Sequence, residues 1–536
     1  MLERSGMAPP AVNPWVAEAL SHLFGSEEGA DCDIQFCLEG SEEAGRGAAL
    51  GPLLPAHPLV LRPACERFRA QLDRWEDTPP ASKRAKSGEE GVGRPLLRVP
   101  LGSEAELPAA RLAVRFAYTG QVHASSVREA LEVLRAGDYL AIEGCAAACS
   151  QWLADRLAAT GAAEADAAEP PEPAVLQLYA CEDLWPAANP SFGAVLSAAK
   201  AQLVQHFGST LTTLNTLFLR QQLLALPATG LEALLESDDL GTDSEDGVLT
   251  LLATWMRANW ARTYAATRKR LCGLVQLTQL SPQAVSCLLL PLAADFEAKG
   301  PEEEAGWFPM TATDAQLVVS HLSAPELWQQ QTREEQASAG APGWHSSSPR
   351  KQCVPEAGLP FPWSLSKEEL RAKLEGLQPG QKAQAFADVM NGGTTPVFAR
   401  GLVWRVRVDC THGKAAAGLY LSPQIPAAYT VPGSRLAGPV PKLPTFIDAR
   451  LSVNRLQGGA VSAVSITTYN RENYIRLGVG RGVATALPLS PQQPAALAAP
   501  SPVAAAAGGD DLAPWAEYAH EGSAVTGTLT LLLPEP

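Results

Sequence analysis

The spacing of apolar residues changes twice along this 536-residue chain, and no other feature restricts the possible folds as strongly. Near the N-terminus, Ile34, Phe36 and Leu38 alternate with Asp, Gln and Cys, which is the period of a half-buried strand. Between about residues 174 and 300, apolar residues recur every three or four positions, as in amphipathic helices. From residue 398 onward they alternate again. We therefore expect a multidomain α+β protein with a mixed region, a helical region and a region of strands.

Composition and charge exclude several classes of protein. With 46% apolar and 18% charged residues, the chain can build cores in about three or four domains. Its net charge of −15 repels phosphate, so nucleic acid is not an expected partner. No apolar run approaches the roughly 20 residues of a membrane span, and the sequence MLERSGMAPPAV lacks the apolar core of a secretory signal. We expect a soluble protein of the nucleus, the cytoplasm or both, without a membrane partner.

The ten cysteines are scattered and form no CxxC pair, which argues against a disulfide framework or a zinc module. Cys145 and Cys149 are four positions apart on a predicted helix and could bind a metal or react with an oxidant. In that pattern, however, apolar core packing is the favoured interpretation. We therefore predict reduced thiols, no metal site and no cofactor.

Four low-complexity segments mark interruptions and boundaries: residues 78–94, 159–174, 329–362 and 484–511. They are rich in Pro, Gly, Ala, Ser or charge and lack the apolar periodicity of a packed element. The first and last are predicted to be inserts within domains, and the middle two to separate domains. No period of 20 to 50 residues repeats, which argues against solenoids and propellers, including a kelch propeller.

Three groups of residues near the N-terminus resemble the BTB/POZ domain in order and spacing. An acidic residue opens the strand at residues 31–36 (DCDIQF), and a His precedes an aliphatic helix start at residues 54–61 (LPAHPLVL). Residues 116–120 (FAYTG), followed by residues 130–140 (ALEVLRAGDYL), are similar to the YTG signature and the helix after it. The resemblance implies an α/β BTB domain over residues 14–158.

The helical region resembles a BACK domain. Residues 231–240 (LEALLESDDL) and 244–255 (SEDGVLTLLATW) are similar to the family's LLSSDDL and SE…W segments. The resemblance implies an all-α BACK domain over residues 174–328, followed by a linker over residues 329–362. In adaptors of cullin-3, BACK domains follow BTB domains.

The C-terminal region resembles a MATH (TRAF-like) domain. Residues 404–408 (WRVRV) and 418–421 (GLYL) are similar to the core of that family, and further short strands are separated by Gly/Pro turns. The resemblance implies an antiparallel β-sandwich over residues 363–536 with the insert at 484–511. The order of the three regions also resembles the light-response BTB proteins of plants.

The resemblance implies a substrate-recognition adaptor of a cullin-3 RING E3 ubiquitin ligase. Such a protein dimerises, binds the cullin through BTB and BACK, and presents an unidentified target protein for ubiquitylation. The alternative is a BTB-dimerised transcriptional co-regulator or scaffold without a ligase role, against which the lack of zinc fingers counts. The basic cluster at residues 83–86 (KRAK) could address such a protein to the nucleus, although clusters of this size also occur by chance in solvated loops.

Catalytic chemistry finds no support in the sequence. His57 could act as a base, but a structural imidazole at a helix start is favoured, and no GxSxG elbow is present. Residues 478–482 (GVGRG) lack the Lys-Ser/Thr of a phosphate-binding loop and are interpreted as a hairpin turn. We therefore predict that the protein is not an enzyme and has no catalytic residues.

Three sets of binding residues are predicted. An apolar face of the N-terminal helix is expected to form the homodimer interface, unless that helix packs within its own domain: Trp15, Leu20, Leu23. By resemblance, the cullin is expected to contact an apolar and acidic stretch together with the helix near the YTG segment: Phe68, Leu72, Trp75, Asp77, Tyr118. Basic residues of the strand region, unless they are simply solvated, are expected to face an acidic or phosphorylated target: Arg400, Arg405, Arg407, Arg450.

Overall fold

The computed structural model divides the chain into two compact units, Met1–Leu203 and Val204–Pro536, which are described in turn. Everything said below about structure concerns the described residues, which are 14–39, 48–76, 94–159, 172–186, 189–331, 348–375, 377–378, 380–389, 396–439, 442–457, 460–489, 512–520 and 524–534.

The first unit combines a small sheet with helices. Its strands are β1 (Cys32–Leu38), β2 (Ala49–Ala56) and β3 (Leu96–Leu101). They lie in the order β2-β1-β3, with β2 antiparallel and β3 parallel to β1. The helices are α1 (Pro14–His22), α2 (Pro58–Ala64), α3 (Glu66–Glu76), α4 (Leu107–Thr119), α5 (Val127–Leu140), α6 (Cys145–Ala159) and α7 (Ala174–Ala180), and α8 (Pro190–Phe207) crosses the division between the units.

Local signals set the helix boundaries in this unit. The Ser126 hydroxyl accepts a hydrogen bond from the Glu129 amide, and the Glu129 carboxylate accepts one from the Ser125 amide, so α5 starts where the capping pattern predicts. Helix α4 ends at Gly120, whose φ of +63° favours a residue without a side chain. The apolar faces of these helices, including Phe68, Leu131 and Cys149, are fully buried.

The second unit begins with helices. They are α9 (Thr210–Asn215), α10 (Leu217–Ala225), α11 (Ala228–Leu235), α12 (Glu245–Asn259), α13 (Ala265–Cys272), α14 (Pro282–Ala284), α15 (Leu290–Lys299) and α16 (Ala312–Ser323). A π-helical turn, Val285–Leu289, joins α14 to α15. Helix α12 is buried on almost every side, with Trp255 donating its indole N–H to the Leu226 carbonyl at 2.8 Å.

Antiparallel sheets follow in the same unit. The strands are β4 (Leu359–Ser366), β5 (Lys382–Phe386), β6 (Asp388–Val389), β7 (Val397–Ala399), β8 (Leu402–Thr411), β9 (Ala416–Gln424), β10 (Pro444–Thr445), β11 (Ala449–Gln457), β12 (Ala460–Tyr469), β13 (Ile475–Arg476), β14 (Arg481–Pro488), β15 (Ala519–His520) and β16 (Ala524–Leu531), with α17 (Lys367–Leu374) after β4. One large sheet has the order β12-β11-β16-β4-β6, a second has the order β14-β9-β8-β5, and β10 and β13 form a two-stranded sheet. Trp363 and Trp404 are fully buried.

The mixed α+β class is confirmed, whereas several details differ from the sequence-based expectations. Strand β4 begins at Leu359, inside the segment predicted as a linker over 329–362, and β14 covers the first residues of the segment predicted as an insert over 484–511. Residues 478–482 are not a hairpin turn, because β13 pairs with β10 while β14 pairs with β9. The predicted insert at 78–94, except for its last residue, and the basic cluster at 83–86 lie outside the described residues.

Candidate protein-binding surfaces

Helix α1 carries an exposed apolar patch. The Trp15 side chain is 77% exposed and Val16 is 51% exposed, whereas Leu20 and Leu23 are half-buried. Leu23 lies just beyond the helix, its amide donating to the Leu20 carbonyl at 3.2 Å. The predicted dimer residues therefore divide into one projecting aromatic side chain and two side chains that pack partly against their own unit. Aromatic residues such as Trp are enriched at protein–protein interfaces, so Trp15 is the candidate contact residue of this helix.

The predicted cullin residues are separated by burial. Phe68 and Leu72 lie in the core on the inner face of α3, and Tyr118 is 4% exposed. Trp75, near the end of α3, is 39% exposed, and Asp77 lies outside the described residues. Among the described members of this set, Trp75 alone presents a large surface to a partner.

Tyr118 has a structural role in holding the start of α2. Its hydroxyl accepts a hydrogen bond from the His57 amide at 2.9 Å, and the His57 Nε2 lies 2.9 Å from the Glu28 carbonyl oxygen. Burial raises the pKa of Tyr118 to about 12, so the phenol is neutral at physiological pH. This geometry accounts for the His and the Tyr of the two N-terminal signatures without involving catalysis.

The surface around Trp75 is charged. Arg62 of α2 lies 3.3 Å from the Asp73 carboxylate and 2.6 Å from the Glu76 carboxylate, so it links α2 to the last turn of α3. Exposed ion pairs such as these contribute little to stability. Residues one and two positions apart on a helix do not face each other, so Asp73 and Glu76 do not stand in for Asp77, the acidic residue predicted for the cullin contact.

A cleft of about 420 Å³ opens between α4, α5 and the end of β3, and the sequence-based reasoning missed it. Apolar side chains such as Leu101 and Leu140 line it, with Glu106, Glu132 and Arg135 also among its lining residues. Tyr139 donates its hydroxyl to the Pro100 carbonyl at 2.8 Å. In the sequence, Glu132, Arg135 and Tyr139 recur at helical spacing on one face of α5. This polar stripe is the local feature that could have indicated the cleft.

Two of the four predicted arginines share one face of the second unit's β14-β9-β8-β5 sheet. Arg405 and Arg407 are two positions apart on β8 and point to the same side. The Arg407 guanidinium lies 2.7 Å from the Asp409 carboxylate and 5.1 Å from the Tyr420 ring centroid. Arg405 lies 5.4 Å from the Phe386 ring centroid. This face therefore combines cations with aromatic rings.

The other two predicted arginines lie elsewhere. Arg450 is exposed on β11, in the other sheet, opposite Thr468 and Thr530. Arg400 occupies the turn between β7 and β8 with a φ of +46°, and its guanidinium lies 2.7 Å from Asp448. The predicted set is thus not one cluster, because the register of the strands distributes its members over separate places.

Arg400 belongs to a buried joint between the helices and the sheets of the second unit. Its amide donates a hydrogen bond to the Asp243 carboxylate. The Thr250 hydroxyl on α12 donates to the Gly401 carbonyl at 3.0 Å and lies 3.0 Å from the Tyr429 hydroxyl. Hydrogen bonds between largely buried polar groups thus hold this joint together.

A fully buried ion pair lies in the same unit. Arg350 is 3.1 Å from Glu245, and both side chains are 2% exposed. The guanidinium also donates to the carbonyls of Ser237 and Leu274. Buried charges persist in proteins where they are paired and hydrogen-bonded in this way.

Burial raises the pKa values of the carboxylates at the start of α12. The pKa of Asp246 rises to about 6, mainly because of burial, with a smaller contribution from the charge of Asp243. Burial also raises the pKa of Asp243 and that of Glu245, against the opposing charges of Arg400 and Arg350 respectively. The three carboxylates form a buried titratable cluster that the sequence did not indicate. The arginines that face them, Arg350 and Arg400, lie more than 100 positions further along the chain.

Other kinds of site find no support within the described residues. Their His, Cys, Asp and Glu side chains form no group of three or more that could hold a metal ion. Cys145 and Cys149 are fully buried in α6. None of the described helices is both long and apolar enough to cross a bilayer.

Comparison with known proteins gives one family match. Residues 201–289 match the model of the BACK family, described as "BTB And C-terminal Kelch". The matched residues run from α8 through α12 to the π-helical turn, so the match supports a protein of the BTB/BACK type. No curated protein matches the chain significantly.

Proposed function

We propose that this protein is a substrate-recognition adaptor of a cullin-3 RING E3 ubiquitin ligase. The observation that carries the proposal is the BACK match over residues 201–289, downstream of a unit whose signature segments resemble a BTB domain. BACK domains are typical of BTB adaptors of cullin-3 ligases. Such an adaptor catalyses nothing itself. It holds the ligase and the target together, so that ubiquitin transfer benefits from a high effective concentration.

In this proposal the first unit provides dimerisation and the contact with the cullin. The exposed Trp15 supports a two-fold contact between copies of α1, because closed dimers are built from self-complementary patches. The exposed Trp75 supports a contact with the cullin, in which the indole fills a pocket. The cleft beside Tyr139 is a second place where a side chain of the scaffold could be held.

We propose that the strands of the second unit form a MATH-like domain that recognises the target protein. Arg405, which lies beside Phe386 on this face, suits an acidic or phosphorylated segment, since Arg pairs strongly with carboxylates and phosphates, whereas Arg407 is already paired with Asp409. Strand β12 ends the other sheet and is exposed over its first half, so an extended peptide could add to it as a further strand. The protein would act in the nucleus, the cytoplasm or both.

The deciding experiment is affinity purification of the full-length chain from cells, followed by detection of cullin-3 and of ubiquitylated proteins. We expect cullin-3 to copurify and to be lost with a variant altered at Trp75. A variant altered at Tyr474, which is 48% exposed in the strand region of the second unit, is the matched aromatic control. A well-folded dimer that never brings down cullin-3 would contradict the adaptor and favour the alternative, a BTB-dimerised co-regulator or scaffold.

A further inference from the structure

Residues 348–354, here called the strap, lie along the loop that precedes α12. The Thr242 amide donates to the Lys351 carbonyl at 2.9 Å, and the Cys353 amide donates to the Thr242 carbonyl at 3.1 Å. The Lys351 amide donates in turn to the Asp238 carbonyl at 3.2 Å. The strap is therefore held to the helical part of the unit by backbone hydrogen bonds before the chain enters β4.

Side chains in the strap point in opposite directions. Arg350 is buried against Glu245, whereas Ser348, Pro349 and Lys351 are exposed. The proline favours an extended backbone at the residue before it, which is the conformation in which a peptide is presented to another protein. An exposed serine followed by Pro-Arg-Lys thus lies next to a buried anchor.

This arrangement separates Ser348 from the other Ser-Pro pairs in the described part of the chain. The Ser281 hydroxyl is half-buried and accepts a hydrogen bond from the Ala284 amide as a helix cap. Ser422 is 3% exposed within β9. Ser348 alone among these three is exposed and has an exposed basic residue, Lys351, three positions after it. Kinases select substrates by such charge patterns as well as by access to the hydroxyl.

We propose that Ser348 is a phosphorylation site and that its phosphate releases the strap. The phosphoryl donor is ATP and the catalyst is a proline-directed serine kinase with a preference for basic residues. The Ser348 oxygen forms a bond to the γ-phosphorus, the bond from that phosphorus to the leaving ADP oxygen breaks, and the hydroxyl proton passes to the kinase's catalytic aspartate.

The charges around the strap determine what the phosphate does. A phosphoserine carries about −1.5 to −2 charges at neutral pH. The partner loop of the strap carries the exposed carboxylates of Glu236, Asp238 and Asp239. Arg350 is already neutralised by Glu245, so Lys351 is the strap's exposed cation against these anions. In this proposal the phosphate adds negative charge to a segment that is bonded to this acidic loop, and the like-charge repulsion weakens the backbone bonds between Thr242 and the strap.

The first test is phosphorylation of the full-length chain with ATP and a proline-directed kinase that modifies the free peptide of residues 342–356. Mass spectrometry should find phosphate at Ser348 and none at Ser281 or Ser422, and Ser348→Ala should remove it. A folded chain that stays unmodified at Ser348, while the peptide is modified under the same conditions, would overturn the assignment.

The second test isolates the release of the strap. Hydrogen exchange of the Thr242, Lys351 and Cys353 amides is compared between Ser348→Asp and the uncharged Ser348→Asn in the full-length chain. Exchange should be faster by roughly two- to fivefold in the aspartate variant, which is the range that one exposed charge interaction supports. The phosphorylated protein should show the same or a larger increase. Equal exchange rates in the two variants and in the phosphorylated protein would overturn the release of the strap.

Discussion

Arg350 shows how one residue can determine the stability of the second unit. Replacing Arg350 by Ala leaves Glu245 buried without its counter-charge, and breaking a buried pair costs about 3–5 kcal/mol. The free energy of unfolding from urea titration should fall by that order. Arg62→Ala, which removes a partly exposed ion pair in the first unit, should cost at most about 1 kcal/mol. Similar small losses in both variants would show that the buried pair contributes no more than a surface one.

Asp246 gives the second unit a pH dependence with a definite sign. Its pKa in the folded protein, about 6, lies above its ordinary value of 3.8. Its contribution to stability is therefore complete below the ordinary value and is lost as the pH rises through 6. Asp243 and Glu245 have raised pKa values and act in the same direction.

The expected measurement is a decrease in unfolding free energy between pH 5 and pH 7.5. For Asp246 alone its size over this interval is on the order of 1 kcal/mol, because more than half of the total effect of the pKa shift lies below pH 5. Asp246→Asn keeps the shape of the side chain and should flatten this part of the profile. An unchanged slope in that variant would assign the pH dependence to other groups.

Trp75 is the residue at which the proposed cullin contact can be tested most directly. If its indole is a buried anchor in the complex, Trp75→Ala should weaken cullin-3 binding by more than about 1 kcal/mol. Titration calorimetry with purified cullin-3 measures this change, and Tyr474→Ala is the exposed control in the strand region of the second unit. Unchanged affinity in a folded Trp75→Ala protein would remove this surface from the proposal.

Single elements show where the sequence predicted the fold and where it could not. Helix α5 and strand β1 were predicted close to their observed starts, because a cap and a strict alternation are local signals. Strands β2 and β4 were missed because both contain prolines. Strand β2 lies at a sheet edge, and Pro360 and Pro362 of β4 lie outside the stretch that pairs with β6. Proline is tolerated on the side of a strand that has no hydrogen-bonded neighbour. Which strands pair depends on residues far apart in the chain, so the local sequence does not show where such a side will be.

The exposed face of helix α1 can be tested as the dimer interface. If its exposed face forms the dimer, Trp15→Glu places a charge at the two-fold contact and should convert the dimer to a monomer. Sedimentation velocity at micromolar concentration measures the change. Leu327→Glu, at a side chain that is 84% exposed in the second unit, should leave the oligomeric state unchanged. A wild-type monomer under these conditions would contradict dimerisation itself.

In the molecule as a whole, the contacts that the sequence could not indicate lie within the second unit. The sequence predicted a helical domain, a linker and a β domain. Hydrogen bonds link residues of the predicted helical and β regions: Asp243 accepts from the Arg400 amide, and Asn215 exchanges hydrogen bonds with the backbone of Phe398. Such pairs have no local signal, because each partner looks like an ordinary polar residue in its own segment. Sequence periodicity therefore identified the elements but not their joint.

A chain ending at residue 330 tests whether the helices depend on this joint. The deletion removes Arg350, which is the buried partner of Glu245. It also removes the turn at Arg400, whose backbone bonds Asp243 and the Thr250 hydroxyl in the intact unit. Since unpaired buried charges are costly, α12 should lose protection against hydrogen exchange by at least about tenfold relative to the full-length chain. Helix α5 in the first unit is the internal reference. Full protection of α12 in the shortened chain would show that the helices fold without the sheets, and the same shortened chain could then locate target recognition.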